Sequence, residues 1–186
     1  MTEELKKCLL ECPVIKKGDY HYFVNPMSDG IPLVEPKLLK SFADYVAENF
    51  DLSGIDKIIG IEAMGIHIAT ALSLKTDIPF AVVRKREYGL EGEYIVHQKT
   101  GYGTSDLYIN NINKDDNVLL LDDVVSTGGT LTCVIEALDD IGANIKHIII
   151  PIGKDDGKEI VEKATGKKIS TLVNVRMVDG KVTIIE

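Results

Sequence analysis

Val118-Leu-Leu-Leu-Asp-Asp-Val-Val-Ser-Thr-Gly-Gly-Thr130 is the stretch on which the fold of this chain turns. Its apolar run is short and uninterrupted, the pattern of a strand buried on both faces of a parallel sheet. Two carboxylates follow, then a turn that holds Gly128 and Gly129. Apolar residues at Leu131, Val134, Ile135, Leu138 and Ile141 then mark one face of a helix. Strand, turn and helix therefore follow one another here, and each part has a chemical use. The two glycines permit positive φ and close backbone approach, and a helix that starts near Thr130 aims unpaired N–H groups and a positive dipole end at the turn. Ser126, Thr127 and Thr130 add hydroxyl donors without adding charge. Together they make an anion pocket that suits a phosphate monoester. Asp122 and Asp123 stand at the carboxyl end of the strand, where open α/β sheets bind ligands, and carboxylates accept hydrogen bonds from vicinal sugar hydroxyls. A phosphate site beside a diol site points to a ribose 5-phosphate. Neither G-x-x-x-x-G-K-[ST] nor a post-strand G-x-G-x-x-G occurs, which sets aside the two common nucleotide loops.

The same alternation extends outward. Residues 20–24 read as a strand and residues 25–32 as a turn-rich loop. From Pro36, apolar positions recur at Leu38, Leu39, Phe42, Ala43 and Val46, which predicts a helix that ends near Phe50. Residues 57–61 read as a strand and 66–74 as a helix; residues 80–83 and 145–150 complete a set of four short β-rich runs. Strands that alternate with helices imply a mainly parallel sheet covered by helices, an α/β fold. A polar segment over residues 84–117 holds four of the seven tyrosines and is too long for a routine connector, so it reads as a lid or hairpin. Alternation around a turn at Asp179-Gly180 predicts a closing β-hairpin over residues 168–186.

Bulk properties narrow the class. At 186 residues, against roughly 150 per domain, the chain is read as one domain, residues 1–186. The 45% hydrophobic and 27% charged composition is that of a globular protein, and a net charge of −8 opposes nucleic-acid binding. No apolar run approaches the ~20 residues that span a bilayer, and the charged first ten residues make no signal-peptide core. A cytoplasmic protein is expected. Cys8, Cys12 and Cys133 are read as structural thiols, and His21, His67, His97 and His147 show no metal-ligand spacing.

The quoted string resembles the phosphoribosyl-pyrophosphate signature of the type I phosphoribosyltransferases. Pro13-Val-Ile-Lys-Lys-Gly-Asp-Tyr, Asp29-Gly-Ile-Pro-Leu, Glu62-Ala-Met-Gly-Ile-His67 and Thr100-Gly-Tyr-Gly are similar to segments of the archaeal hypoxanthine (hypoxanthine/guanine) members. The resemblance implies a central parallel sheet, a small hood from residues 1–34 and 168–186, a mobile lid over residues 84–108, and a homodimer. It makes Ser126, Thr127, Gly128, Gly129 and Thr130 the 5-phosphate loop and Asp122 and Asp123 the catalytic pair that holds the ribose hydroxyls. Glu62, Ala63, Met64 and Gly65, with Arg84 and Lys85, become the pyrophosphate site. Mg2+ is the implied cofactor, held mainly by substrate without a dedicated set of protein ligands. The implied activity is purine salvage, the transfer of a 5-phosphoribosyl group to hypoxanthine and to guanine, with no nucleic-acid or membrane partner. Two features keep alternatives in view. Adenine enzymes of the family have a small residue where this loop has Ser126, whereas 6-oxopurine enzymes often have Asp. Arg84 to Gly92 resembles the charged lid of orotate enzymes. A phosphoribosyl-pyrophosphate-sensing regulator is the reading from another class. For base recognition the candidates are the N-terminal strand and loop and the closing hairpin, including residues 173–177.

Overall fold

A computed structural model of the chain describes residues 2–18, 20–100 and 103–185. Each short apolar run becomes a strand of one sheet: β3 (Lys57–Ile61), β4 (Phe80–Val83), β7 (Asn117–Leu121) and β9 (Asn144–Lys154), all mutually parallel where they pair. Their order is β4-β3-β7-β9, followed by β10 (Ser170–Val178) and β11 (Lys181–Ile185), with the short β8 (Val124–Val125) paired to β9. The chain thus lays β4 on one side of β3 and β7 on the other. The strand order reverses between β3 and β7, which leaves a crevice at their carboxyl ends.

Both faces of the sheet are buried because successive side chains alternate. Ile58, Leu119 and Leu121 pack on one side with α3 (Pro36–Asn49) and α4 (Gly65–Thr76). Ile59, Val118 and Leu120 pack on the other with α5 (Gly129–Ile141). Residues 84–117 do form a hairpin. Its strands β5 (Tyr94–Thr100) and β6 (Gly103–Ile109) are antiparallel and separate from the main sheet, and Val96, Leu107 and Ile109 are buried against the α5 side. Gly101 and Tyr102, part of the Thr100-Gly-Tyr-Gly segment, lie outside the described residues, as does Asp19.

The structure adds to the sequence reading in four places. Residues 2–11 form the amphipathic helix α1 (Thr2–Glu11), with Leu5 and Leu9 fully buried against the closing strands. The expected loop at 25–32 contains a one-turn helix, α2 (Pro26–Asp29), capped by the Asn25 side chain, which accepts from the Ser28 N–H at 3.1 Å. β9 runs through Pro151 to Lys154, four residues past the expected end at 150. Its ladder with β7 ends at Ile149 and that with β8 starts at Ile152, so the missing N–H falls between ladders. The closing hairpin forms with its turn at Asp179-Gly180, and β10 also joins β9 in parallel, which carries Val173 and Val175 into the core. Those two valines are therefore closed to a base. The sequence reading also omitted α6 (Gly157–Thr165) and β1 (Val14–Lys17), which pairs with β2 (Tyr20–Phe23).

Candidate active site

A cleft of about 790 Å³ opens at the β3/β7 switch point. Its walls are Glu62, Ala63 and Met64 after β3, Lys85 after β4, and residues 122–131 after β7. One crevice thus gathers nearly all the residues expected at the site, from three separate stretches of sequence.

Residues 126–130 take the expected shape. Gly128 is the N-cap of α5 with φ 78°, a backbone state that favours glycine, and α5 begins at Gly129. The first N–H groups of this 13-residue helix therefore face the turn without helical partners. Two close approaches fix the loop from behind. A Cβ on Gly128 would stand 2.3 Å from Val161 Cγ2, and one on Gly157 would stand 2.1 Å from the Ser126 carbonyl oxygen. Gly157 opens α6 and is a site residue that the sequence reading missed. Its only signal was a lone glycine after Asp155-Asp156.

Asp122 and Asp123 follow the last residue of β7. The Asp123 N–H donates to Asp122 Oδ1 at 3.0 Å, which turns the first carboxylate back over the strand end. Burial, then the neighbouring charge of Asp123, raises the Asp122 carboxyl well above the ordinary carboxylate value, and Lys85 pulls the other way. Asp123 is also raised, chiefly by burial, against hydrogen bonding that includes Ser28. Two crowded carboxyls of this kind favour hydroxyl donors and divalent cations.

The turn after β3 brings backbone into the crevice because Gly60 and Gly65 leave room: a Cβ on Gly60 would lie 2.8 Å from the Gly65 carbonyl oxygen. The Glu62–Ala63 peptide is cis. Gly65 itself is buried at the start of α4, behind the cleft wall. Lys85 lines the cleft, whereas Arg84 turns to a groove on the outer side with Phe80, Tyr88 and Leu90. The Glu62 carboxylate explains the difference. It accepts the Lys85 N–H at 3.0 Å and stands 3.0 Å from Arg84 Nε. The hairpin supplies Asp106, Leu107 and Tyr108 to the opposite wall; the sequence reading had placed them in the lid without an individual role. Tyr108 exchanges two backbone hydrogen bonds with Arg84, at 2.9 and 2.7 Å, which ties the hairpin to the end of β4.

A recess of about 60 Å³ continues from the cleft past Val124 and Ser126, which line both. Tyr22, Phe23, Asn25, Ser28 and Lys154 complete it. Among the described residues, Asn25 and Lys154 are the two buried polar side chains, 1% and 3% exposed. Lys154 Nζ lies 5.6 Å from the centre of the Phe23 ring. The N-terminal strand and loop thus provide the hood side, and Lys154 comes from an extension of β9 that the proline had hidden.

The remaining reactive groups lie elsewhere. None of the four histidines lines the cleft or the recess; His67 is half-buried in a groove between α3 and α4, with its pKa lowered by burial. The three cysteines are free, and burial, aided by Cys8, pushes the Cys12 thiol up to about 11. Among the described residues no group of three or more His, Cys, Asp or Glu could hold a metal by itself. No described helix is long and apolar enough to cross a membrane.

The phosphoribosyl transferase domain family matches residues 34–180, a span that contains every wall of the cleft. The chain belongs to the phosphoribosyltransferase family. This phosphoribosyltransferase is 58% identical over 185 residues to the hypoxanthine/guanine phosphoribosyltransferase of Methanothermus fervidus, covering all of this chain and 98% of that one. It is 54% identical over 186 residues to that of Methanococcus vannielii, with both chains fully covered. Among solved structures, the adenine phosphoribosyltransferase of Thermoanaerobacter pseudethanolicus superposes with a TM-score of 0.75, covering 94% of this chain and 99% of that one at 23% identity. The Saccharomyces cerevisiae adenine enzyme, solved with an imino-altritol bisphosphate and adenine, gives 0.76 over 92% and 97% at 24% identity. At these identities the two structures bear on the fold alone. They place this phosphoribosyltransferase in the type I architecture, with its mainly parallel sheet flanked by helices.

Proposed function

We infer that the protein is a purine-salvage phosphoribosyltransferase that transfers the 5-phosphoribosyl group of phosphoribosyl pyrophosphate to hypoxanthine and guanine, releasing pyrophosphate. The observation that carries this reading is the convergence at one switch point of a glycine turn at a helix start, an acid pair and Lys85, in a chain that matches hypoxanthine/guanine enzymes over its whole length.

Residues 126–130 hold the 5-phosphate through hydroxyls and the N-terminal N–H groups of α5. Asp122 and Asp123 accept from the ribose hydroxyls. Residues 62–64 offer backbone to the pyrophosphate and Lys85 offers its ammonium, while Arg84 acts from behind through Glu62 and the buried Gly65 only gives the turn its room. A purine ring nitrogen forms a bond to the anomeric carbon as the carbon–oxygen bond to pyrophosphate breaks; the electron pair leaves with pyrophosphate and the ring nitrogen loses its proton. Cations placed where that charge develops lower the barrier. The donor set also fits Mg2+: two adjacent carboxylates without a third protein ligand suit a hard cation held mainly by substrate oxygens. When bound, Mg2+ would neutralise the leaving group. The hairpin β5–β6, packed over the cleft, excludes water.

Lys154 favours a 6-oxopurine. An ammonium only donates, so a recess that contains it pairs with an oxo group and disfavours the exocyclic amine of adenine. The homodimer belongs to the same reading, and the apolar face between α3 and α4, with Leu74 81% exposed, is the surface offered for it. A cytoplasmic location fits a highly charged substrate that does not cross membranes.

The test is nucleotide formation from phosphoribosyl pyrophosphate and Mg2+ with hypoxanthine, guanine, adenine, xanthine and orotate. Hypoxanthine and guanine are expected to react. Asp123→Asn should lower kcat/KM by about 10- to 100-fold, as for loss of hydrogen bonds to a charged group. Turnover of adenine or orotate alone would overturn the substrate assignment.

A further inference from the structure

The recess beside Ser126 holds a polar group that the fold leaves unused. Asn25 is 1% exposed, and the hood turn holds both its carboxamide and its backbone. Oδ1 accepts from the Ser28 N–H at 3.1 Å as the cap of α2. The Asn25 N–H donates to Asp29 Oδ2 at 2.9 Å, and Asp29 Oδ1 accepts from the Tyr22 hydroxyl at 2.6 Å. With Oδ1 committed to the cap, Nδ2 is the end left over, and it finds no acceptor among the described residues. The Ser28 hydroxyl, in the same recess, is turned toward Asp123, so it does not serve the Asn25 amide. A buried amide N–H without a partner is costly, and native chains rarely keep one that serves no ligand. The cap itself would be served equally well by Asp, which brings no donor when ionised, or by Ser, whose hydroxyl stops one bond short of the position of Nδ2.

We propose that Asn25 is a specificity-determining residue for the base: its Nδ2 donates a hydrogen bond to an unprotonated ring nitrogen of the bound purine. The inference rests on the proposed function and deepens it. Lys154 and Asn25 both bring donors to the recess. Lys154 takes the oxo group, and the side-chain amide of Asn25 takes a ring nitrogen lone pair. In a hypoxanthine joined to ribose through one imidazole nitrogen, that lone pair is on the other imidazole nitrogen or on the pyrimidine nitrogen nearest the sugar. Asp29 acts as a positioning residue, because its two oxygens hold Tyr22 and the Asn25 backbone in one geometry. A pyrimidine such as orotate offers neither lone pair at that distance from the sugar.

Substitution separates the donor from the cap. Asn25→Ser keeps a cap oxygen and removes the N–H, whereas Asn25→Ala removes both. Asn25→Ser should melt near the wild-type temperature and keep the KM for phosphoribosyl pyrophosphate, while its KM for hypoxanthine rises at least about tenfold, as in Asn25→Ala. A wild-type KM for hypoxanthine in Asn25→Ser would overturn the proposal and leave Asn25 as a helix cap. A second measurement uses the unmodified protein, with inosine monophosphate and its 3-deaza and 7-deaza analogues as competitive product inhibitors. One analogue should bind the wild type at least about tenfold more weakly than the parent, and in Asn25→Ser that difference should vanish. Equal binding of all three, or a difference that persists in the variant, would overturn the proposal. Wild-type turnover of hypoxanthine tests the underlying function separately, since a wild type that makes the nucleotide alongside an unaffected Asn25→Ser sinks this inference alone.

Discussion

Asp122 and Asp123 show how a residue's position sets its chemistry. Burial raises both carboxyls above the ordinary carboxylate value of about 4, with the Asp123 charge adding to it at Asp122 and the Asp29 charge at Asp123. A raised folded-state value favours the protonated form in the folded chain, so ionisation costs the free protein stability as pH rises from the unfolded value to the raised one. On the proposed function, ribose hydroxyls and a divalent cation both favour the ionised pair. Binding of phosphoribosyl pyrophosphate should therefore weaken on acidification, with the break above pH 4. Steady-state KM against pH measures it. In Asp123→Asn, removal of the neighbouring charge should move that break to lower pH; an unchanged break would mean that another group titrates. Glycine makes a second residue-scale case. A Cβ at Gly157 would meet the Ser126 carbonyl oxygen at 2.1 Å, backbone against backbone. Gly157→Ala should cost about 1–3 kcal/mol in chemical denaturation and raise the KM for phosphoribosyl pyrophosphate, because the strain falls on the phosphate loop.

At the scale of elements, the hairpin β5–β6 is a satellite seated on α5. Val96, Leu107 and Ile109 supply its apolar foot, and the Tyr94 hydroxyl donates to Asp140 Oδ2 at 3.0 Å. Its approach turn is held by Glu93, which accepts from the N–H groups of Tyr88 and Gly89 and from Asn110 Nδ2. Leu107 is 1% exposed, so Leu107→Ala should cost about 2–4 kcal/mol. Hydrogen exchange should then quicken in β5 and β6 while β3 and β7 keep their protection. Loss of protection spread evenly over β7 would mean that the hairpin belongs to the main cooperative unit. That a hairpin would form was legible from the length and tyrosine content of residues 84–117. Its seat on α5 was not, because Val96 and Leu107 look like any alternating strand residues until a partner face is known. α1 escaped the sequence reading for a similar reason: Leu5 and Leu9 make a stripe too short to declare itself without the closing strands beneath it.

For the whole molecule, the site follows from topology. The order β4-β3-β7-β9 reverses at β3, and that reversal brings residues 62–65 and 122–130 to the same edge although some sixty positions separate them. Charge acts at the same scale. With a net charge of −8, the molecule has no global attraction for polyanions, and the cleft and its recess are each lined by a single lysine, Lys85 and Lys154. Fluorescence anisotropy should find no binding to duplex DNA even at low salt. Steep salt-dependent binding would instead favour a regulator that senses phosphoribosyl pyrophosphate.

The sequence by itself determined the alternating strand-helix plan, the glycine turn that opens α5 and the acid pair after β7, because each is a local property: a run of apolar residues, a glycine turn and a helix start are complete within a dozen positions. Only the tertiary structure decided which cation faces the cleft, since the partition of Lys85 from Arg84 is made by Glu62, 23 residues away. It alone brought Asn25 and Lys154 together across 129 positions of chain, on a hood turn and on the far end of a strand that continues through a proline. Neither residue has a local signature. Their shared burial exists only once the sheet has placed β9 beneath the hood, where a polar side chain must find a partner or be supplied with one by a ligand.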